Sequence, residues 1–266
     1  LFRSNKVFYD LSLVTTILLF AAIFFAGFVD AVAGGGGLIQ QPSLLITFSE
    51  TNTVTVMGTS KTAAAFGTSA AALKYRRSIK TDPLLLLAMV IPAFVGSSLG
   101  ALLATHISAQ NLKSAIFMMM VLIFLYTLAK PELGKNHVDR FSQATLKKIG
   151  AAAALIIGFY DGLIGPGTGT LLMIVLVALM GFAFIGASAI AKVVNLVTNI
   201  AAIIVIGFRV PIMWKLGIAL GLANLVGGFI GSHVAVKKGS GFVRTFYLIV
   251  TALLIVRLGY DIVAQL

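Results

Sequence analysis

Apolar positions run along this chain in blocks of about 20 residues, the length a helix needs to cross a bilayer, and polar positions collect between them. Windows of that length predict membrane helices near 11–33, 54–73, 84–105, 112–129, 187–207, 215–235 and 243–262, with an irregular apolar stretch over 149–181. The long polar segment 130–148 holds Lys130, Glu132, Lys135, Asp139, Arg140, Lys147 and Lys148, and reads as a connector between two halves. Arg3 and Lys6 ahead of the first apolar run, with Ala31-Val32-Ala33 near its end, imitate a secretory signal peptide. The run is long for such a peptide and its surroundings return in the second half, so this segment is expected to belong to the mature fold.

That return is regular. Gly27-Phe28-Val29-Asp30 aligns on Gly158-Phe159-Tyr160-Asp161, and the same offset of 131 places Gly34 on Gly165, Gly36 on Gly167, Lys61 on Lys192, Gly96 on Gly227 and Gly100 on Gly231. The chain therefore reads as an all-α integral membrane protein made of two tandem repeats of about 131 residues, and internal repeats are a hallmark of transporter folds. Residues 1–130 form the first transmembrane repeat, 131–147 a polar connector and 148–266 the second repeat. Each repeat is a helix running into a Gly-rich break, then a half-helix of about 12 apolar residues, then three full spans. The breaks are Gly34-Gly35-Gly36-Gly37 and Gly165-Pro166-Gly167-Thr168-Gly169. Only 12 residues separate Lys148 from Asp161, roughly 18 Å of helix, so the second break is expected near mid-membrane. Irregular backbone at that depth survives only against protein or a cavity.

Charge bears on the relation between the repeats. Lys74, Arg76, Arg77 and Lys80 mark one loop as cytoplasmic, whereas its counterpart carries only Arg209 and Lys215. The next loop reverses the bias, with Lys113 against Lys237, Lys238 and Arg244. Charge that changes sides between equivalent loops favours inverted repeats, with the broken segments as re-entrant hairpins. A parallel arrangement, with the broken segments crossing fully, is the alternative.

Composition narrows the function classes. Twenty Lys+Arg against eight Asp+Glu give a net charge of +12, beside 59% hydrophobic and 11% charged residues. A soluble domain of this kind would expose too much apolar surface, and the short clusters of charge suit a bilayer surface better than nucleic acid. With no cysteine and three dispersed histidines, His106, His137 and His233, neither thiol chemistry nor a metal or other cofactor is expected.

Four charges lie deep in apolar sequence: Asp30, Lys61, Asp161 and Lys192, two pairs related by the repeat. Charges at that depth cost on the order of 3 kcal/mol or more and face a partner or a cavity. Either they are structural bridges between helices, or the lysines flank a central anion site while the aspartates position them or carry a proton. The Gly-rich breaks, opening short helices near Leu38 and Thr170, would point backbone N–H groups and positive dipole ends at such a site. Gln40, Gln41, Thr168 and Thr170 add neutral polar groups nearby. Thr59, Ser60 and Lys61 are consecutive, so at most two face inward, whereas Lys192, Asn195 and Asn199 share one helix face. Asn195 and Asn199 are equally readable as interhelical glue or as ligands. Gly96-x-x-x-Gly100, Gly217-x-x-x-Gly221 and Gly227-x-x-x-Gly231 read as packing contacts.

Gly27-x-x-Asp30-x-x-x-Gly34-x-Gly36-Gly37-x-Ile39-x-x-Pro42, Thr59-Ser60-Lys61, Gly158 to Gly169 and Lys192-x-x-Asn195-x-x-x-Asn199 resemble the sulfite exporter TauE/SafE family of membrane permeases, over essentially the whole chain. The resemblance implies a multi-pass transporter of the bacterial inner (plasma) membrane. Its substrate would be a small anion such as sulfite, a sulfonate or another sulfur-containing organic acid. On this reading the protein is not an enzyme, and export proceeds by alternating access around a midplane site. The candidate substrate-binding set is Lys61, Lys192, Gly34, Gly35, Gly36, Gly37, Thr59, Ser60, Gly165, Gly167, Thr168, Gly169, Asn195 and Asn199, with Asp30 and Asp161 pairing charge or coupling a proton. Expected partners are the anion, a coupled proton and membrane lipids, without nucleic acid, and no feature of the sequence fixes the oligomeric state. An anion channel, or a membrane-embedded enzyme acting on lipid phosphate, is the alternative.

Overall fold

The computed structural model describes residues 6–8, 11–105, 125, 129, 136–138 and 140–263. A short antiparallel hairpin, β1 (Lys6–Phe8) and β2 (Leu11–Ser12), precedes a bundle of helices. These are α1 (Leu13–Ala33), α2 (Gly37–Thr47), α3 (Thr53–Ser78), α4 (Pro83–Ala104), α5 (Gln143–Leu163), α6 (Thr168–Ile174), α7 (Phe184–Gly207) and α8 (Trp214–Val263). A π-helical turn, Val175–Leu179, prolongs α6.

Helix starts are written locally. Side chains of Ser12, Asn52, Asp82 and Ser142 accept first-turn backbone N–H groups of α1, α3, α4 and α5, and Pro83 opens α4 where its missing N–H costs nothing. Ser142 starts α5 inside the polar stretch, earlier than the apolar residues alone suggest. The helix after each break also starts slightly earlier than expected, at Gly37 and Thr168.

Among the described residues, four stretches are long and apolar enough to cross a membrane: Leu13–Ala33, Pro83–Ala104, Phe184–Gly207 and Trp214–Val250. The expected span 54–73 is the 26-residue α3, whose small polar residues and Lys61 lower its hydropathy. Of the expected span near 112–129 only residues 125 and 129 are described, and His106 and Lys113 lie outside the described residues. Helix α8 is not one rod. Gly239 has φ 73° and ψ −170°, and Phe28 meets both Gly231 and Phe246, which a straight helix would separate by about 22 Å. The chain folds back at Gly239, so the spans expected at 215–235 and 243–262 form its two arms.

Packing fixes the directions. Phe24 and Phe28 of α1 meet Gly227 and Gly231 of α8, and Thr62 and Phe66 of α3 meet Gly217 and Gly221 of α8. Hence α1, α3 and the first arm of α8 run parallel. Gly96 and Gly100 of α4 press on Leu155 and Phe159 of α5, so closely that an added Cβ would sit 2.2 and 2.0 Å from their carbonyl oxygens. Ser97 of α4 donates to the Thr198 carbonyl of α7 at 2.7 Å, and Ala101 packs with Ala202. So α4, α5 and α7 form a second parallel group. The two groups oppose each other: Gly58 early in α3 abuts Ile206 late in α7, while Tyr75 late in α3 clusters with Ala187 early in α7.

Helices α1 and α2 make a hairpin, because Leu44 near the end of α2 shares a cluster with Leu19 near the start of α1. Helices α5 and α6 make another from the opposite end, where Arg140 just ahead of α5 donates to the Ala178 carbonyl at 2.5 Å. At this second end the described residues gather Lys74, Arg76, Arg77, Lys80, Arg140, Lys147, Lys148, Lys237, Lys238 and Arg244; the other end carries Arg209 and Lys215. Large apolar side chains such as Ile17, Leu18, Ile91 and Phe229 stand exposed on the outside, whereas Thr59, Lys61, Thr198 and Lys192 are buried. That inverted polarity suits a bundle solvated by lipid.

Candidate functional site

The two hairpins meet at their tips. Gly34, left-handed at φ 80°, closes α1 by donating its N–H to the Asp30 carbonyl at 2.8 Å. Its Cα faces the backbone of Gly169 and Thr170, where a Cβ would sit 2.3 Å from the Gly169 carbonyl carbon. Thr170 Oγ1 donates to the Ala33 carbonyl at 3.3 Å. Only glycine allows both the positive φ and this approach of two backbones.

Around the junction lies a cavity of about 40 Å³, room for two or three waters. It is lined by Asp30, Gly34, Gly36, Gly37, Ser60, Lys61, Asp161, Gly165, Gly167, Thr168, Gly169, Asn195 and Asn199, all singled out in the sequence, and also by Ala26, Gln40, Gln41, Ala64, Thr68, Pro166 and Asn224. Gly35, Thr59 and Lys192 are not in its wall. Thr59 is turned toward α8, where Oγ1 donates to the Thr55 carbonyl at 2.8 Å and accepts the Met213 N–H at 3.2 Å. With Ser60 and Lys61 facing the cavity, the limit of two inward residues from that triplet is met.

The buried charges pair across the two halves of the chain, not within them. Lys61 Nζ lies 2.8 Å from Asp161 Oδ2, and Lys192 Nζ lies 2.8 Å from Asp30 Oδ2. The sequence left open which charge meets which, since the partners are 100 and 162 residues apart and meet only because the halves interlock.

The pairs differ in exposure. In one, Lys61 is the cation at the cavity wall and Asp161 is 2% exposed; in the other, Lys192 is fully buried behind Asp30, which is 17% exposed. Asp161 has a second neighbour, Thr168 Oγ1, 2.7 Å from its Oδ1 and 2.6 Å from the Gly165 carbonyl, so that one proton serves one or the other. Asp30 has no such hydroxyl, because the residue seven positions on is Gly37.

Neutral donors complete the wall. Gln40 Nε2 donates to the Ser60 carbonyl at 2.5 Å, and Asn224 Nδ2 donates to Gln40 Oε1 at 2.7 Å and to the Ile23 carbonyl at 3.2 Å. Those amides are engaged. The side-chain amides of Asn195 and Asn199, 6% and 4% exposed, make no hydrogen bond among the described residues. Glue would have partners across a helix interface, so their geometry favours a role toward the cavity. The N–H groups of Leu38 and Ile39 are taken by the Gly35 and Gly36 carbonyls. Among the described residues this leaves the N–H groups of Gly35, Gly36, Gly37, Gly167, Gly169 and Thr170 without a backbone partner.

Thr68 and Asn224 were not singled out in the sequence. Thr68 had a signal, because the offset of 131 carries it onto Asn199; Asn224 had only that of a lone amide in an apolar span.

Comparison with known proteins fits this geometry. The family model for sulfite exporter TauE/SafE matches residues 19–258. A "Probable membrane transporter protein ORF9" of Sinorhizobium sp. is 36% identical over 252 residues, covering 95% of each chain. A "Probable membrane transporter protein" of Haemophilus influenzae is 32% identical, covering 95% of this chain and 97% of its own. The "Probable membrane transporter protein YfcA" of Escherichia coli K12 is also 32% identical, over 97% of this chain and 94% of its own. No solved structure matches. A buried, charge-paired site inside a lipid-facing bundle, carried by a chain that matches the family along nearly its whole length, makes this protein a member of the sulfite exporter TauE/SafE family of membrane transporters, not an enzyme.

Proposed function

We propose that the protein is a secondary transporter that exports a small sulfur oxyanion, sulfite or a sulfonate, across the bacterial plasma membrane by alternating access. The observation that carries this reading is the cavity between the hairpin tips, where Lys61 and the unpartnered amides of Asn195 and Asn199 face one small space. An ammonium with neutral amides and backbone N–H groups binds an oxyanion and still releases it. The family supplies the substrate class. At about 40 Å³ the cavity has room for a small ion and no more, and the close contact of the hairpin tips beside it favours a moving site over an open channel.

The chain is a duplication with inverted halves on this reading. Support comes from helix starts that recur at the offset of 131, with α2 and α6 at 37 and 168, α3 and α7 at 53 and 184, and α4 and α8 at 83 and 214. It comes also from the opposed directions of α3 and α7, which occupy equivalent places. The cation-rich end faces the cytoplasm by the positive-inside rule. The α5–α6 hairpin then enters from inside and the α1–α2 hairpin from outside.

The four buried charges sum to zero, so an entering anion leaves one negative charge uncompensated. Asp30 is the carboxylate that meets it, lining the cavity and paired, among the described residues, with Lys192 alone. Export would draw on the membrane potential, which drives an uncompensated anion outward, or on a proton taken by Asp30, which would restore neutrality.

The test is thermal stabilisation of purified protein by a panel of sulfite, sulfonates and carboxylates. An anion at a hundred times its Kd should add about 2.7 kcal/mol of apparent stability. Sulfur oxyanions are expected to stabilise the wild type and to lose most of that effect in the Asn195→Ala, Asn199→Ala double variant. If no member of the panel stabilises the wild type, or the double variant responds equally, the site assignment fails.

A further inference from the structure

We infer that the cytoplasmic end of α3 is a specific binding site for anionic glycerophospholipid, drawn from the surrounding bilayer and independent of the anion site. Two grooves flank this helix end. One, of about 620 Å³, lies between α3 and α8, with Lys74 and Arg77 at its rim over Leu73, Leu225 and Phe229. The other, of about 510 Å³, lies between α3 and α4, with Arg76 and Lys80 over Leu86, Leu87 and Val90.

The pattern follows from the helix. Residues 74 and 77 are three apart on α3, so their side chains point the same way, while Arg76 lies on another face and Lys80 follows the extended residue Ile79 after the helix end. Each groove is thus lined by two cations from the end of α3 and the residues just after it. Leu73, Leu87 and Phe229 stand half exposed beside them, at 51%, 55% and 54%. Cations over an apolar cleft at one leaflet match a headgroup phosphate with acyl chains below it. The carboxylate nearby is Asp82, whose Oδ1 accepts the Leu84 N–H at 2.9 Å and caps α4, leaving the rims net positive. A zwitterionic lipid would fill the same apolar walls but bring its own cation to the basic rim. The cations themselves are peripheral: Arg76, Arg77 and Lys80 are exposed and Lys74 half-buried, so their neutralisation leaves the core intact.

The experiment compares retention of phosphatidylglycerol and phosphatidylcholine of identical acyl chains by protein purified in neutral detergent, read by native mass spectrometry. The wild type should retain phosphatidylglycerol in preference to phosphatidylcholine, at up to one molecule per groove. Substituting Lys74→Gln with Arg77→Gln, or Arg76→Gln with Lys80→Gln, should remove one of these molecules and weaken its retention by about tenfold or more. The double variant Lys237→Gln, Lys238→Gln removes two cations from the same end outside the grooves and should behave as wild type. Equal retention of both lipids, an equal loss in the Lys237/Lys238 variant, or unchanged retention in both groove variants would overturn the inference. A melting measurement without added lipid separates loss of the site from loss of the fold.

Discussion

Asp30 and Asp161 hold their lysines at the same 2.8 Å, but the two pairs face the cavity differently. Lys61 and Asp161 both line it, whereas in the other pair Asp30 does and Lys192 does not. Removing one member of a buried pair leaves an uncompensated charge and costs about 3–5 kcal/mol, so a single lysine variant confounds binding with folding. A double-mutant cycle separates them. Asp30→Asn with Lys192→Met should show a coupling of about 1–3 kcal/mol in unfolding, and Asp30→Asn with Lys61→Met clearly less. A larger coupling for Asp30 with Lys61 would contradict the crossed pairing. The sequence made all four charges conspicuous, because few side chains are so costly in an apolar helix. It could not say who meets whom, since that depends on how helices far apart in the chain pack. The amides of Asn195 and Asn199, without a hydrogen-bond partner among the described residues, were equally hidden, because glue and ligand share one sequence pattern and differ only in whether a partner faces them.

At the scale of elements, the helices most legible were those with both an apolar run and a capping residue, such as α1 behind Ser12 and α4 behind Asp82-Pro83. The Gly-rich breaks were legible as well, since backbone freedom in the middle of a membrane has few other uses. Direction was legible only through the swapped loop charges. The sense of α3 against α7 is set by contacts such as Gly58 with Ile206, which no local pattern encodes. The fold-back of α8 was expected as two spans, but its pivot, Gly239, was one glycine among 27. Direction has a measurable consequence: with the cation-rich end inside, the second arm of α8 leaves the cytoplasmic side and heads outward. A reporter fused after residue 266 should therefore signal the outside in intact cells. A cytoplasmic signal would mean that the second arm does not cross, or that the bundle is oriented the other way.

Taken as a whole, the molecule is a polar interior wrapped in lipid-facing residues, with two hairpins entering from opposite ends and touching through Gly34 and Gly169. On the alternating-access reading proposed above, this contact would be the gate, and parting of the hairpin tips would open the cavity. The measurement that tests the account most directly is flux of sulfite and sulfonates from a panel into proteoliposomes, comparing the wild type with Lys61→Met paired with Asp161→Asn to keep the site neutral. The account predicts saturable flux of at least one sulfur oxyanion in the wild type and its loss in the paired variant, with the variant still folded. Flux that persists unchanged in a folded paired variant would contradict it.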